Sequence, residues 1–229
     1  MSVFLQIFQF VLAIVPTLLL CWYIYHLDKY EKEDFGVLAA HFLLGVLVAI
    51  PVYYLEKYAA LSGLENPGNF WATVFFAFLV VAFVEEVAKF LPLGGWAYRA
   101  VFFNEPIDGI VYAVFVAMGF AAFENGAYAW KHDMGTTVVR AFTAVPAHAA
   151  FGVVQGYYAG LARFDGRKRP VLVLLKGLLV SVLVHGLYDF FLEYELYDWL
   201  VLLALAVLGL SVYYARRLVG LQQERSPFK

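Results

Sequence analysis

The chain has 229 residues, of which 63% are hydrophobic, 19% aromatic and only 15% charged, and its mean hydropathy is +0.75. A soluble domain is nearer about 45–50% apolar and about 25% charged, so too few charges remain to cover a water-facing surface, and a polytopic membrane protein is expected. The formal net charge of −2 carries no information about partners, because charge placement relative to the bilayer matters more. The lipid bilayer and a membrane-anchored protein are the expected partners, with no nucleic acid, and the single cysteine, Cys21, excludes an internal disulfide framework and a multi-cysteine metal site.

A helix needs about 20 apolar residues to cross the hydrocarbon core. On that rule the chain reads as an all-α membrane bundle of about seven transmembrane helices, forming one domain over 1–229. The first span runs about Phe4–Tyr25. No basic region precedes it, so a cleaved signal peptide is not expected. The second is Gly36–Leu55, with Pro51 as an expected kink. The third covers Phe70–Phe90 and can continue towards Tyr98, with Pro92 and Gly94-Gly95 as its expected stop. The fourth is Ile107–Trp130, the fifth Thr136–Ala162, the sixth Val171–Leu192 and the seventh Leu196–Ala215, followed by a polar tail, Arg216–Lys229.

Loop charge sets orientation. With seven spans, the loops after spans 1, 3 and 5 plus the C-terminus carry eleven Lys and Arg, including the run Arg167-Lys168-Arg169. The opposite side carries three, Lys57, Lys131 and Arg140. That bias predicts an outside N-terminus and a cytoplasmic C-terminus in the cell membrane.

Within the third span, Glu85, Glu86 and Lys89 are the only side chains charged at pH 7 from Phe70 to Leu93. Each costs roughly 2.5–3.5 kcal/mol on insertion scales, so intramembrane charges are usually paired and functional. Helical spacing puts Glu85 and Lys89 on one face and turns Glu86 about 100° away. Small residues recur at every fourth position along three later spans: Gly109, Ala113, Ala117, Ala121 in the fourth; Ala144, Gly152, Gly156, Gly160 in the fifth; Gly177 and Ser181 in the sixth. Such ladders let helices approach closely in lipid. His148 and His185 stand on the ladders of the fifth and sixth spans, with Glu124 and Asn125 at the end of the fourth span. At about 1.5 Å per residue, His148 lies roughly 18 Å below the start of its span, at a depth Glu85 and His185 can share, and Glu124 lies shallower.

A carboxylate kept charged by Lys89 can take a proton from water as a general base, and histidines at the same depth can stabilise an oxyanion or protonate a leaving amine. The same set, Glu85, Glu86, His148 and His185, could instead hold zinc with an open water position. Asp189, one turn after His185, can orient that imidazole through its other nitrogen. Each group also has a plainer reading. The charged trio can be a structural ion pair, and the histidines and Glu124-Asn125 interhelical hydrogen-bond partners. Asp108 can simply suit a helix N-terminus, while His26 and His41 read as packing residues.

In order along the chain, Glu85-Glu86-Val87-Ala88-Lys89, Asp108-Gly109 with Gly119-Phe120-Ala121-Ala122-Phe123-Glu124-Asn125, His148-Ala149-Ala150-Phe151-Gly152 with Gly156, and His185-Gly186-Leu187-Tyr188-Asp189 together resemble the PrsW family of intramembrane proteases, within the wider superfamily of CAAX-prenyl proteases and bacterial Abi proteins. The resemblance implies an endopeptidase acting on membrane-anchored proteins, with an anti-sigma factor, cut as the first step of stress signalling, as the best-known bacterial substrate. It also implies that Glu85 and Glu86 supply the activating base, with His148 and His185 as the motif histidines. In the CAAX-protease branch one glutamate and one histidine activate water, while the second histidine and a polar residue at the position of Asp189 bind the oxyanion. Here an aspartate stands where an asparagine is expected. An ionised Asp189 cannot donate a hydrogen bond, which favours its orienting His185 and makes Asn125 the candidate donor. Two rival classes fit the same residues: a proton- or ion-coupled transporter, and a non-catalytic scaffold for a single-span partner.

Overall fold

In hydrocarbon, every backbone N–H and C=O must be satisfied within the protein, which leaves helices as the means by which these apolar runs can cross. The computed structural model describes residues 3–166 and 169–229. Arg167 and Lys168 of the basic run lie outside the described residues. The helices are α1 (Val3–Leu27), α2 (Phe35–Leu61), α3 (Phe70–Phe75), α4 (Phe83–Phe90), α5 (Asp108–Lys131), α6 (Met134–Phe142), α7 (Ala144–Phe164), α8 (Pro170–Glu193) and α9 (Leu200–Gln223), with no strand among the described residues. Six helical stretches are long and apolar enough to cross a membrane: α1, α2, α5, α6 with α7, α8 and α9.

The remaining apolar stretch is helical throughout but not uniformly α. Wide π-helical turns fill Phe76–Ala82 and Leu91–Trp96, on either side of α4, and a 3₁₀ turn closes it at Ala97–Arg99. The chain therefore does not stop at Pro92 and Gly94-Gly95. Pro92 has no N–H to donate to Ala88, and the i→i+5 pattern absorbs that loss without ending the helix. Wide turns on both sides also re-phase α4 relative to its neighbours, so that Glu85, Glu86 and Lys89 are all buried.

Two other expectations need correction. The fifth span is divided: α6 ends at Phe142, Thr143 departs from helical geometry (φ −120°, ψ −65°), and α7 begins at Ala144. Pro146 explains the break, because its missing N–H is tolerated only in a helix's first turn. His148 therefore lies in the second turn of α7, roughly 6 Å along it rather than 18 Å. The C-terminal tail is also less irregular than its polarity suggests. Leu196–Trp199 form turns, and α9 runs through Arg216 and Arg217 to Gln223. Its last turns pack inward: Gln222 is buried and donates from Nε2 to the Tyr157 carbonyl, 2.8 Å away.

Helix α5 is the axis of the bundle. It is buried along nearly its whole length and packs chiefly against α7, α2 and α1. The α5–α7 approach is set by glycine. A Cβ added at Gly109 would meet the Gly156 carbonyl oxygen at 2.5 Å, and one added at Gly156 would meet Gly109 backbone in return. On the α2 side, a Cβ at Gly119 would strike the Phe42 carbonyl. His41 is buried between stacked Trp96 and Tyr112 rings, at 4.7 and 4.5 Å, and joins α2 to both neighbours. Side-chain caps start the surrounding helices. Asp34 accepts from Gly36 and Val37, Asn69 from Ala72, and Asp133 from Thr136. Gln9, fully buried in α1, donates to the Thr137 hydroxyl and the His132 carbonyl, fastening α6 to the bundle.

Because backbone meets backbone at the α5–α7 crossing, Gly156→Val should lower stability by about 1–3 kcal/mol through overpacking. Gly209→Ala, where nothing lies within 4 Å of the new Cβ, should be neutral or slightly stabilising. Thermal denaturation of the two variants in detergent checks the contrast.

Candidate active site

The buried charges of α4 meet side chains from three other helices. Lys89 is 4% exposed, and each of its three N–H groups has a partner: Glu85 Oε2 at 2.8 Å, Glu86 Oε1 at 2.8 Å and His148 Nδ1 at 3.0 Å. Lys89 is thus not confined to the side of Glu85. It sits three residues from one glutamate and four from the other, and reaches both. Since an ammonium can only donate, His148 Nδ1 must accept, which places the imidazole hydrogen on Nε2. That nitrogen donates to Glu124 Oε2, 2.9 Å away.

Glu124 is held in turn by Arg140, whose Nη2 donates to Glu124 Oε1 at 2.6 Å and whose Nε donates to Asn125 Oδ1 at 2.7 Å. The guanidinium lies 3.8 Å from the centre of the Tyr128 ring. On the other side, His185 Nδ1 lies 2.9 Å from Glu86 Oε1 and its Nε2 lies 3.0 Å from Asp189 Oδ2. The His185 ring stacks on Phe151 with centroids 4.8 Å apart. Gln155 donates from Nε2 to Glu86 Oε2 at 2.8 Å and also approaches Ser181 Oγ at 3.1 Å.

All eight residues singled out in the sequence, Glu85, Glu86, Lys89, Glu124, Asn125, His148, His185 and Asp189, therefore fall into one connected network. They do not all face the same space. A cavity of about 820 Å³ is lined by Glu85, Glu124, Arg140, His148, His185 and Asp189, whereas Glu86, Lys89 and Asn125 are not on its wall. The Asn125 amide nitrogen is buried without a partner, and its carbonyl is taken by Arg140. Glu85 lies between the two imidazoles without bonding to either: its Oε2 is 3.9 Å from His148 Nδ1 and 4.0 Å from His185 Nε2. The cavity extends to residues at the ends of α2 and α5 and the start of α9, so it opens at the end of the bundle that carries the α2–α3, α5–α6 and α8–α9 connections.

Sequence reasoning missed Arg140 and Gln155. Arg140 sits four residues inside the fifth span as drawn, yet it reads as a loop charge. Its place within an apolar run was the available signal. Gln155 had a similar one, as the amide between the His148 and Gly156 ladder positions.

One ligand atom each from Glu85, Glu124 and His148 lie within 4.8 Å of one another, and so do single atoms of Glu85, Glu86 and His185. The two sets share Glu85. Carboxylate and imidazole donors at this spacing suit zinc, and three of them, Glu85, Glu86 and His148, already hold a cation, the Lys89 ammonium.

Residues 33–215 match the family described as PrsW family intramembrane metalloprotease. The chain belongs to that family. It is 38% identical to Protease PrsW of Bacillus subtilis (strain 168) over 192 residues, 82% of this chain and 84% of the relative. It is 36% identical to Protease PrsW of Halalkalibacterium halodurans over 178 residues, covering 77% and 80%. With Protease PrsW of Clostridioides difficile (strain 630) it shares 32% over 203 residues, covering 85% and 82%. No solved structure matches. The chain is thus an integral, multi-pass membrane protease, and the transporter and scaffold readings fall away.

Removing the cation from this network leaves the buried Glu85 and Glu86 carboxylates without the counter-charge they share. Lys89→Met should therefore cost about 3–5 kcal/mol of stability, as breaking a buried pair does. A lowered unfolding temperature of the purified variant in detergent is the expected readout.

Proposed function

We propose that Glu85 is the general base of a peptide-bond hydrolysis carried out in the cavity, on a membrane-anchored protein substrate. The observation that carries this reading is the unequal placement of the two glutamates. Glu85 lies on the cavity wall, about 4 Å from both imidazoles, while Glu86 is fully buried and tied to Lys89, His185 and Gln155. Glu85 takes a proton from water as the oxygen attacks the scissile carbonyl carbon. The C–N bond then breaks, and the proton passes to the leaving nitrogen. Glu86 and Asp189 clamp His185 from its two nitrogens, keeping it beside Glu85 with both N–H groups oriented. Glu124, itself held by Arg140, fixes the tautomer and plane of His148. His185, on the cavity wall, places positive charge where negative charge develops on the substrate oxygen, while Lys89, behind the wall, holds Glu85, Glu86 and His148 in place.

The family's metal would be held here by Glu85 with either Glu86 and His185 or Glu124 and His148, so that the four ligands expected from the sequence do not form one set. When bound, zinc polarises the carbonyl and lowers the pKa of water. Lys89 competes for three of the same donors, so ion binding and the Lys89 contacts are alternatives at this site.

The eleven-to-three distribution of basic residues supports an outside N-terminus and a cytoplasmic C-terminus in the plasma membrane. The cavity then opens towards the outer face. An anti-sigma factor with a single span is the substrate class that the PrsW resemblance supports, cut near its outer membrane boundary.

Glu85→Gln should lower the cleavage rate of a cognate membrane substrate by about 10²–10⁴-fold while leaving the protein folded, the range expected for losing a general base. Full cleavage by this variant in reconstituted vesicles would overturn the assignment. Metal dependence has its own test. Treatment with a chelator should abolish cleavage, and added Zn²⁺ should restore it.

A further inference from the structure

At the opposite end of the bundle from the cavity, the α1–α2 connection and the start of α5 bring carboxylates together without matching cations. Asp108, fully buried, uses one oxygen, Oδ2, to accept the backbone N–H groups of Asn104 and Glu105, each at 2.8 Å. Its other oxygen, Oδ1, is buried and has no partner. Glu33, 6% exposed, has an unpartnered Oε1. Glu31 accepts from the Asn104 side chain through Oε1, at 3.3 Å, and its Oε2 is also unpartnered. One oxygen from each of these three residues lies within 4.8 Å of the others. A second, deeper pair stands behind them. Asp28 and Glu105 are 1% and 0% exposed and face each other, with Ser226 beside Glu105.

Among the described residues, no Lys or Arg forms an ion pair with any of these five carboxylates. Lys32, in the same connection, donates to the backbone carbonyls of Tyr25 and Asp28 instead. Burial, with repulsion from Glu105, pushes Asp28 up to about 7, and burial lifts Glu33 to about 7 as well, with Glu31 and Glu105 adding repulsion. Five carboxylates gathered out of water without a counter-charge are costly, because burying an unpaired charge is among the largest single penalties a fold can carry. A cation held by their free oxygens removes that cost. Oxygen-only, carboxylate-rich donors select hard ions rather than zinc or copper.

We infer that Glu31, Glu33 and Asp108 form a second metal site, for a hard divalent cation such as Mg²⁺, Mn²⁺ or Ca²⁺, that ties the α1–α2 connection to the start of α5. Counted along α5 at about 1.5 Å per residue, Asp108 lies roughly 24 Å from Glu124, so this ion is separate from any held in the active site. Its role is structural. It fixes the first turn of the axial helix, whose far end carries Glu124 and Asn125.

The test is calorimetric titration of the full-length protein, stripped with chelator and held in detergent, with Mg²⁺, Mn²⁺ and Ca²⁺ in turn. At least one of the three should bind at one site per chain. Glu33→Gln and Asp108→Asn should each weaken that binding by at least about tenfold. Asp108 also holds a loop, so Glu31→Gln, at a partly exposed position, is the variant least prone to misfold and should show the same loss. His148→Ala should leave the binding unchanged, since it removes a donor only from the other site. No binding of any of the three ions at millimolar concentration overturns the proposal, and so does binding that the Glu31 and Glu33 variants leave intact but His148→Ala abolishes.

Discussion

The Lys89 ammonium has three N–H groups and spends all of them on buried acceptors from two helices: Glu85 and Glu86 on its own, and His148 on α7. Much else in the structure follows from satisfying that one charge away from water. An ammonium at this depth is tolerable only if its acceptors are fixed, and they are fixed by further contacts. Glu86 is braced by Gln155 and His185, and His148 by Glu124. Hydrogen bonds pass on to Arg140 and Asn125 at one end, and at the other His185 Nε2 lies 3.0 Å from Asp189 Oδ2. In a low-dielectric interior such a network is strong when complete and costly when broken.

The helical framework exists to hold these groups in register. Close approach of α5 and α7 at Gly109 and Gly156 draws His148 towards Glu124. The wide turns before and after α4 set the rotation that buries its charged face. The break at Thr143 lets α6 carry Arg140 back over the end of α5, to Glu124 and Asn125. That geometry leaves one glutamate on the cavity wall and the other behind it, a division of labour suited to hydrolysis by a PrsW protease.

Much of this was legible in the sequence. The charged trio in an apolar run, the two histidines on small-residue ladders and the Glu124-Asn125 pair all announced themselves, since each is expensive in lipid unless partnered. What stayed hidden depended on three-dimensional phase. Helical spacing put Lys89 with Glu85 alone, but a flexible four-carbon side chain spans both i−3 and i−4. Arg140 read as a topogenic charge, because composition cannot say whether an arginine near a helix end points to lipid headgroups or to a buried carboxylate. Proline at 92 and 146 had opposite outcomes. At 92 the helix continued as a wide turn, and at 146 it broke, a difference set by packing rather than by residue type. The acidic cluster at the far end was invisible because its members come from a loop and a helix start some 75 residues apart in the sequence.

The assignment of the cavity as the site of hydrolysis is tested most directly by a high-resolution map of the protein with a bound, uncleaved substrate segment. The expected result is the scissile carbonyl carbon in the cavity, with a water in hydrogen-bond reach of Glu85 and about 3–3.5 Å from that carbon. A scissile bond bound outside the cavity, or a water held by Glu86 with Glu85 turned away, would contradict it.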